Sequence, residues 1–459
     1  MKKGYITVFF VLVFMVFMSF ILSVFEGIKV NAYRLKAECA YSAATNSVLG
    51  EYHKELLEMY DLFYVDTAYK TGVPDYHHVE AQLWQYLEQN IGISPELVEV
   101  NGILLATDND GVNFRKQISA YMKDKIGVSY IEELSKLFHQ VSEEGFINED
   151  LDISNSHEKK WQDAMKQKED IPEKIWENAE KLSGIETVCE KEDSLVLKQV
   201  IENESDVSKQ KINQTLCVSQ RECLQGSGSE KELDFIDKIY FIGYLFEKFS
   251  YYSKEQENRV LDYEVEYIIG NSGSDYENLK WIAVKLLAIR ECMNLVHLLS
   301  DSEKMMLIKE LSQGLSSVVV CPELAPVLIV LLVGFWSYAE SVNDVKILFE
   351  GGKVPFYKTS DDWNTDLANG FGFQITSKQR SGKKDGLDYR QYLEILLLFS
   401  YDKKLTLRCM DLIEMNIQKT QGNENFRMDG LAEAFWINVV FDIPWFGRYQ
   451  MVRHFGYGM

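Results

Sequence analysis

Residues Tyr5 to Phe25 run for 21 positions without a charged side chain, directly after Lys2 and Lys3. At about 1.5 Å of rise per residue, a helix of that length crosses the ~30 Å hydrocarbon layer of a bilayer. The chain is therefore expected to open with a transmembrane anchor, residues 1–27, and to have the lipid bilayer as a partner. Its few polar positions, Tyr5, Thr7, Ser19 and Ser23, carry hydroxyls that bond back to carbonyls of the same helix. Glu26-Gly27-Ile28-Lys29 follows, where a cleaved signal peptide would show a small-x-small site after a shorter apolar core. Retention as an anchor is expected. Lys36-Ala37-Glu38 before Cys39 likewise lacks the small apolar residues of a lipid attachment site. Lys2 and Lys3 favour a cytoplasmic N-terminus, against competing charge at Lys29, Arg34 and Lys36. The expected topology is a single pass with the bulk of the chain outside the cytoplasm.

The helical pattern continues through Ile28, Leu35, Cys39, Ala43, Val48, Leu49, Leu56 and Leu57 without Pro, predicting one helix to about residue 58. Ala40, Ser42, Ala43, Ala44 and Ser47 would let a neighbouring element approach closely. Three segments alternate as strands do: Asp61 to Asp66, Leu97 to Ala106 and Phe426 to Phe441. They are expected to share one sheet, the last returning to the first two. Helices are predicted over 76–89 and 114–146. Residues 147–234 hold only two aromatics, Trp161 and Trp176, and are dense in charge. A solvated helical arm or flexible insert is expected there, ending in a hinge at Gly226 to Ser229.

Aromatic sequence resumes at Phe235. Helices are predicted over 235–250, 257–269, 275–299, 303–315 and 322–349, with one or two more in 387–418. In the third, Leu279, Ile282, Leu286, Ile289, Met293 and Val296 mark a core face. Leu324 to Ala339 is a second uncharged run, bracketed by Glu323 and Glu340. Its sixteen residues reach only about 24 Å, so a buried core helix is favoured over a second span. The expected fold class is α+β and predominantly helical: a transmembrane helix running into a long helix packed on a small antiparallel sheet, with a helical domain inserted. The expected regions are an anchor (1–27), a helix-plus-sheet region (28–146), the polar insert (147–234), a helical domain (235–425) and a returning strand (426–459).

Seventy acidic against 48 basic residues give a net charge of −22, so nucleic acid phosphates would meet a repulsive average field. Nucleic acid is not an expected partner. The seven cysteines include no CxxC pair. Small hydrophobic roles are favoured for the cysteines, with a local Cys217–Cys223 bridge as the alternative. His77-His78 is the only histidine pair, and its side chains diverge by about 100° on a helix. Gly351-Gly352-Lys353 lacks a phosphate-loop frame and reads as a turn. No cofactor, metal or nucleophile–base motif is present.

One polar set stands out on otherwise apolar helices. Arg290 and Asn294, with His297, form a stripe beside the core face of one helix, Glu340 and Asp344 lie on another, and Glu264 stands among aromatics. A structural network of Glu264, Arg290, Asn294, Glu340 and Asp344 is expected, with Glu264, Arg290 and Glu340 close together. A carboxylate-based hydrolase site is the alternative.

Gly4-Tyr-Ile-Thr-Val-Phe9 opening an apolar helix, the Ala- and Ser-rich stretch from Leu35 to Leu49, and Leu56-Leu-Glu-Met-Tyr-Asp-Leu-Phe63 resemble bacterial envelope proteins associated with tight-adherence (Tad, or Flp) pilus systems. Leu261-Asp-Tyr-Glu-Val-Glu-Tyr267, Arg290-Glu291, Asn294, Trp336, Ala339-Glu-Ser341, Asp344-Val345 and Gly352-Lys-Val-Pro355 with Lys358-Thr359 extend the likeness along the chain. The N-terminal part is similar in layout to the TadE and TadG pseudopilin-like proteins. A prepilin has Gly before its cleavage point and Glu five residues after; here Gly4 is present and Phe9 stands in place of Glu. The resemblance implies an anchored extracytoplasmic structural component whose partners are other pilus-assembly proteins, and it brings no catalytic residue. An anchored extracytoplasmic enzyme acting on an envelope polymer is the alternative.

Overall fold

The computed structural model describes residues 3–69, 71–91, 95–143, 195–201, 205, 207–228, 233–318, 325–366, 376–377, 386–443 and 447–457. In chain order its helices are α1 (Lys3–Leu49), α2 (Lys54–Tyr60), α3 (Tyr76–Ile91), α4 (Val112–Lys123), α5 (Val128–Glu143), α6 (Leu195–Val200), α7 (Phe235–Lys248), α8 (Glu264–Gly270), α9 (Asp275–Ser300), α10 (Ser302–Val318), α11 (Ala325–Phe349), α12 (Tyr389–Leu398) and α13 (Asp402–Gln418). Its strands are β1 (Val65–Asp66), β2 (Leu97–Leu105), β3 (Thr365–Asp366), β4 (Thr376–Ser377), β5 (Leu431–Ile443) and β6 (Gly447–Gly456). The fold is α+β and predominantly helical. It divides into two compact units: Met1–Tyr121, Val218–Asp237 and Met410–Met459 form the first, and Met122–Cys217 with Lys238–Cys409 form the second. These limits differ from the boundaries at 146 and 425 expected from composition.

In the first unit, α1 is unbroken from Lys3 to Leu49 and stops short of the expected residue 58. Gly50 follows, a poor helix former, and a new helix starts where the His53 ring accepts the Leu56 amide at 3.2 Å. Asp61 ends that second helix in the left-handed region (φ 54°), which reduces the expected strand over 61–66 to Val65–Asp66. The apolar window of α1 has none of its surface buried within the protein. Its second half behaves differently. Ala37, Ala40, Tyr41, Ala44 and Val48 pack against Phe435, Ile437, Val439 and Phe441 of β5 and against Val79, Leu83 and Leu87 of α3. Of the small residues expected to allow close approach, Ala40 and Ala44 do so, whereas Ser42 and Ala43 are exposed.

Strand β5 is the centre of that sheet, pairing antiparallel with β1, β2 and β6. The returning strand starts at Leu431, after a 3-10 turn at Met428–Gly430 that replaces the beginning expected at Phe426. Strand β6 was not anticipated from the sequence.

Of the expected polar insert, residues 147–194 lie outside the described residues. The remainder is not a solvated arm: Leu197, Val200, Val207, Cys217 and Val218 are buried. Nor does Gly226 to Gly228 form a hinge. The Gly226 amide donates to Asp108 Oδ1 at 2.7 Å and the Ser227 amide to the Ile103 carbonyl at 2.6 Å. A Cβ on Gly226 would lie 2.4 Å from Asp108 Oδ2, so the strap approaches too closely for any other residue.

In the second unit, α9 packs along α11, with α10 against α11, α8 against α9, and α6 against both α9 and α11. The helix expected over 114–146 is two helices separated at residues 124–127, and the one expected over 257–269 shrinks to Glu264–Gly270. Asn258 takes φ 62°, which interrupts a helix, and Arg259 donates to the Lys248 carbonyl at 3.0 Å instead. The apolar window of α11 is 61% buried, as a core helix requires. Leu332, Val333 and Trp336 pack there with Leu298, Ile308 and Trp363.

Candidate functional site

Helices α9 and α11 bring Arg290, Asn294, Glu340 and Asp344 together in the interior of the second unit, all fully buried. Arg290 Nε donates to Asp344 Oδ2 at 3.0 Å, and its NH2 group donates to Asn294 Oδ1 at 3.2 Å. Its NH1 group reaches the Tyr392 hydroxyl and the carbonyls of Pro355 and Phe356, at 2.9 to 3.0 Å. Asn294 Nδ2 donates to Asp344 Oδ2 and to Ser341 Oγ, both at 2.9 Å. Positions 290 and 294 share one face of α9 by helical spacing, as do 340, 341 and 344 of α11.

A second cation completes the set. Lys358 Nζ donates to Asp344 Oδ1 at 2.5 Å and to Glu340 Oε1. Glu340 also accepts the amides of Asn364 (3.0 Å) and Thr365 (2.9 Å). Two cations and two carboxylates therefore balance. Burial opposes the charge on Asp344, but Lys358 and Arg290 outweigh it and hold the carboxyl below its ordinary range. Burial likewise opposes the guanidinium of Arg290, and Tyr392 and Asp344 reverse that effect.

The expected trio of Glu264, Arg290 and Glu340 requires correction. Glu264 is not among the partners of Arg290: its Oε2 accepts the Ser250 amide (2.9 Å) and hydroxyl (3.1 Å) and lies 3.9 Å from Arg259 Nε. Glu340 joins the network through Lys358 rather than by touching Arg290. Lys358 and Tyr392 escaped a reading based on the faces of α9 and α11 because they sit on an irregular segment and on α12. The buried cation of a Lys-Thr pair beside Trp363 (5.6 Å to the ring centre) had only its place in the quoted family likeness as a signal.

Glu266, two residues from Glu264, is a different kind of group. Its Oε1 accepts the Tyr252 amide (2.9 Å) and the Tyr389 hydroxyl (2.7 Å), while its buried Oε2 has no hydrogen-bond partner. Burial pushes its pKa up to about 7, against hydrogen bonds that pull it down.

The first unit holds a third cluster that the sequence reading missed. Arg221, within the strap, grips Glu414 with two bonds of 2.6 and 2.7 Å and Asp429 with one of 2.7 Å. Ser219 donates its amide (2.9 Å) and hydroxyl (2.6 Å) to Asp411. Composition marked this segment as solvated, so its anchoring role carried no sequence signal.

A model of a family described as "Family of unknown function (DUF5702)" matches residues 174–443, more than half of the chain. The chain belongs to this family. The match takes in the complete network of Arg290, Asn294, Glu340, Asp344 and Lys358 together with Arg221, Glu414 and Asp429. No curated protein and no solved structure matches the chain.

The charged groups of these DUF5702 residues are saturated by one another. Each network carboxylate is bonded by a cation and by amide or side-chain donors. Among the described residues, no group of three or more His, Cys, Asp or Glu is placed to hold a metal. His77 Nδ1 instead pairs with Glu80 at 2.7 Å on the surface. Cys217 and Cys223 form no bridge: their sulfurs each lie 3.7 Å from a backbone carbonyl, of Asn213 and Val218.

Proposed function

We propose that this DUF5702 protein is a membrane-anchored, extracytoplasmic structural component of a Tad/Flp-type pilus or related secretion apparatus, acting through protein–protein assembly and not as an enzyme. The observation that carries the reading is α1. One unbroken helix joins an apolar, uncharged stretch with no protein packed on it to a stretch of small residues packed on an antiparallel sheet. An apolar stretch of 21 residues left bare by the protein is stable when lipid covers it. Rigid continuation into a folded unit transmits the anchor's position to that unit. The saturated charge network supports a load-resisting role over a catalytic one.

The experiment is crosslinking in native membranes followed by purification of the intact protein. Pilus-assembly components are expected in the crosslinked product. Recovery of the protein from the membrane fraction with no such component overturns the reading. Turnover of an envelope polymer by the purified protein, abolished by a substitution that leaves folding intact, would favour the anchored-enzyme alternative.

A further inference from the structure

The two edges of the sheet in the first unit are finished differently. Along β2 three outer backbone groups are occupied: the Val100 amide donates to Glu80 Oε1 (2.8 Å), the Leu105 amide donates to Asp108 Oδ2 (2.8 Å), and the Ile103 carbonyl accepts from Ser227. Along β6 they are not. The Tyr457 amide donates to the Glu433 carbonyl, and the register continues to Gly447 opposite Ile443. By antiparallel alternation the odd-numbered residues of β6 bond to β5, which turns the amides and carbonyls of Arg448, Gln450, Val452 and His454 outward. Among the described residues no backbone hydrogen bond meets them.

The charge of this edge is opposite to that of the chain. Gly447 to Gly456 contains Arg448, Arg453 and His454 and no acid, in a protein of net charge −22. Arg448 and Arg453 are 73% and 54% exposed and bonded to half-exposed carboxylates, Glu96 and Glu38. Exposed pairs of this kind are weak and exchange readily for a new carboxylate.

A second copy of this chain is a poor occupant on two counts. Strand β6 runs in the direction of α1: Tyr449 touches Arg34 and Glu38, Arg453 touches Glu38, and the Tyr457 hydroxyl bonds the Leu49 carbonyl. Antiparallel self-pairing would point the two apolar helices in opposite directions, away from a common bilayer. Parallel self-pairing would set Arg448 and Arg453 beside their own copies, and like charges across a strand pair repel.

We propose that β6 is a docking edge for an extended, acidic segment of a different protein, which adds to the sheet as a further strand through main-chain hydrogen bonds and places carboxylates against Arg448 and His454 on one face of the strand or against Arg453 on the other. The proposal deepens the assembly reading above, on which it rests for the class of partner.

The test uses the full chain in lipid nanodiscs and two blocked peptides of the length of β6, one alternating Glu with Val and the other Lys with Val. Hydrogen exchange at the Gln450, Val452 and His454 amides is expected to be fast alone and to slow by about tenfold or more with the acidic peptide only. Val452→Pro removes an outward amide, a position where an edge strand tolerates Pro, and is expected to abolish binding with the melting temperature unchanged. Arg448→Glu with Arg453→Glu is expected to reverse the peptide preference. Protection of these amides without peptide, equal slowing by both peptides, slowing by neither, or dimerisation through β6 overturns the proposal. In cells, pilus components that still crosslink to Val452→Pro overturn the edge and leave the assembly reading standing. A peptide-binding edge with no pilus component crosslinked does the reverse.

Discussion

Helices α1 and α11 both pass the length and hydropathy requirements for crossing a membrane, yet the protein buries none of the apolar window of one and 61% of the window of the other. The difference lies in where charge falls. In α1 no ionisable group other than Tyr5 interrupts Tyr5 to Phe25, so nothing in that stretch asks for a protein partner. In α11 Glu340 and Asp344 stand on the same face, and each finds Lys358 and further donors inside the fold. An ionisable residue on an apolar helix thus indicates the solvent of that helix better than its hydropathy does.

Breaking the network should therefore cost most. Arg290→Ala or Asp344→Ala leaves an uncompensated buried charge and is expected to destabilise the second unit by about 3–5 kcal/mol. Urea denaturation of the intact protein in detergent measures this. A loss below ~1 kcal/mol would mean the pair is solvated and the contrast with α1 is only one of hydropathy.

A buried carboxylate that accepts from the Tyr252 amide and the Tyr389 hydroxyl, with no cation bonded to it among the described residues, sharpens the comparison. Glu266 has its folded pKa raised from 4.5 to about 7, so the native state holds a proton that the unfolded state has released between those values. Stability from this group is present in full below about pH 4.5 and is lost as pH rises through 7, by roughly 3 kcal/mol. Asp344, held low, has the opposite sign: its contribution is present above its unfolded pKa of 3.8 and is lost as pH falls through the depressed value. Glu266→Gln is expected to flatten stability between pH 4.5 and 7 without touching the acid limb. An unaltered slope in the variant would show that Glu266 is ionised in the fold.

The network was legible in the sequence only where residues shared a helix face. Arg290 with Asn294, and Glu340 with Asp344, are each four apart, which places both pairs correctly. Glu264 was misassigned because position 264 turns to Ser250 and Arg259, an environment separate from Arg290. Lys358 lies on an irregular segment, where no periodicity points a side chain. Strand β6 has alternation spoiled by Arg453, which stands on the α1-facing side because Glu38 receives it. The strap from Ser219 to Gly228 is polar in composition, and its bonds to Asp411, Glu414 and Asp108 come from distant parts of the chain. Periodicity reports which way an element faces and is silent on what arrives opposite.

A smaller effect tests the buried side of α11. Trp336 Nε1 donates to Thr365 Oγ1 at 3.0 Å within the cluster of Leu298, Leu332 and Trp363. Thr365→Val keeps the volume and removes the nearer acceptor, leaving the indole N–H only the Thr365 carbonyl at 3.4 Å, and is expected to cost about 0.5–1.5 kcal/mol. Thermal melting followed by tryptophan fluorescence reads the change. No shift would show that the Thr365 carbonyl or water satisfies the indole N–H without the hydroxyl.

The smallest expected effect in folding belongs to α1, and it is the one that most directly challenges the contrast. Phe14 lies mid-way along the apolar stretch and is 63% exposed in the protein alone. If lipid is its only neighbour, Phe14→Ala shifts the melting of neither unit, within about 0.5 kcal/mol, whereas Phe435→Ala in the sheet core costs about 3–5 kcal/mol. Phe14→Arg separates lipid from water: a charge at the centre of a span costs about 2.5–3.5 kcal/mol on insertion, so the variant should partition less into membranes while its folded units melt as before. Loss of melting temperature in either Phe14 variant would place protein, and not lipid, against the first half of α1. The apolar window of α1 would then be a core helix like that of α11.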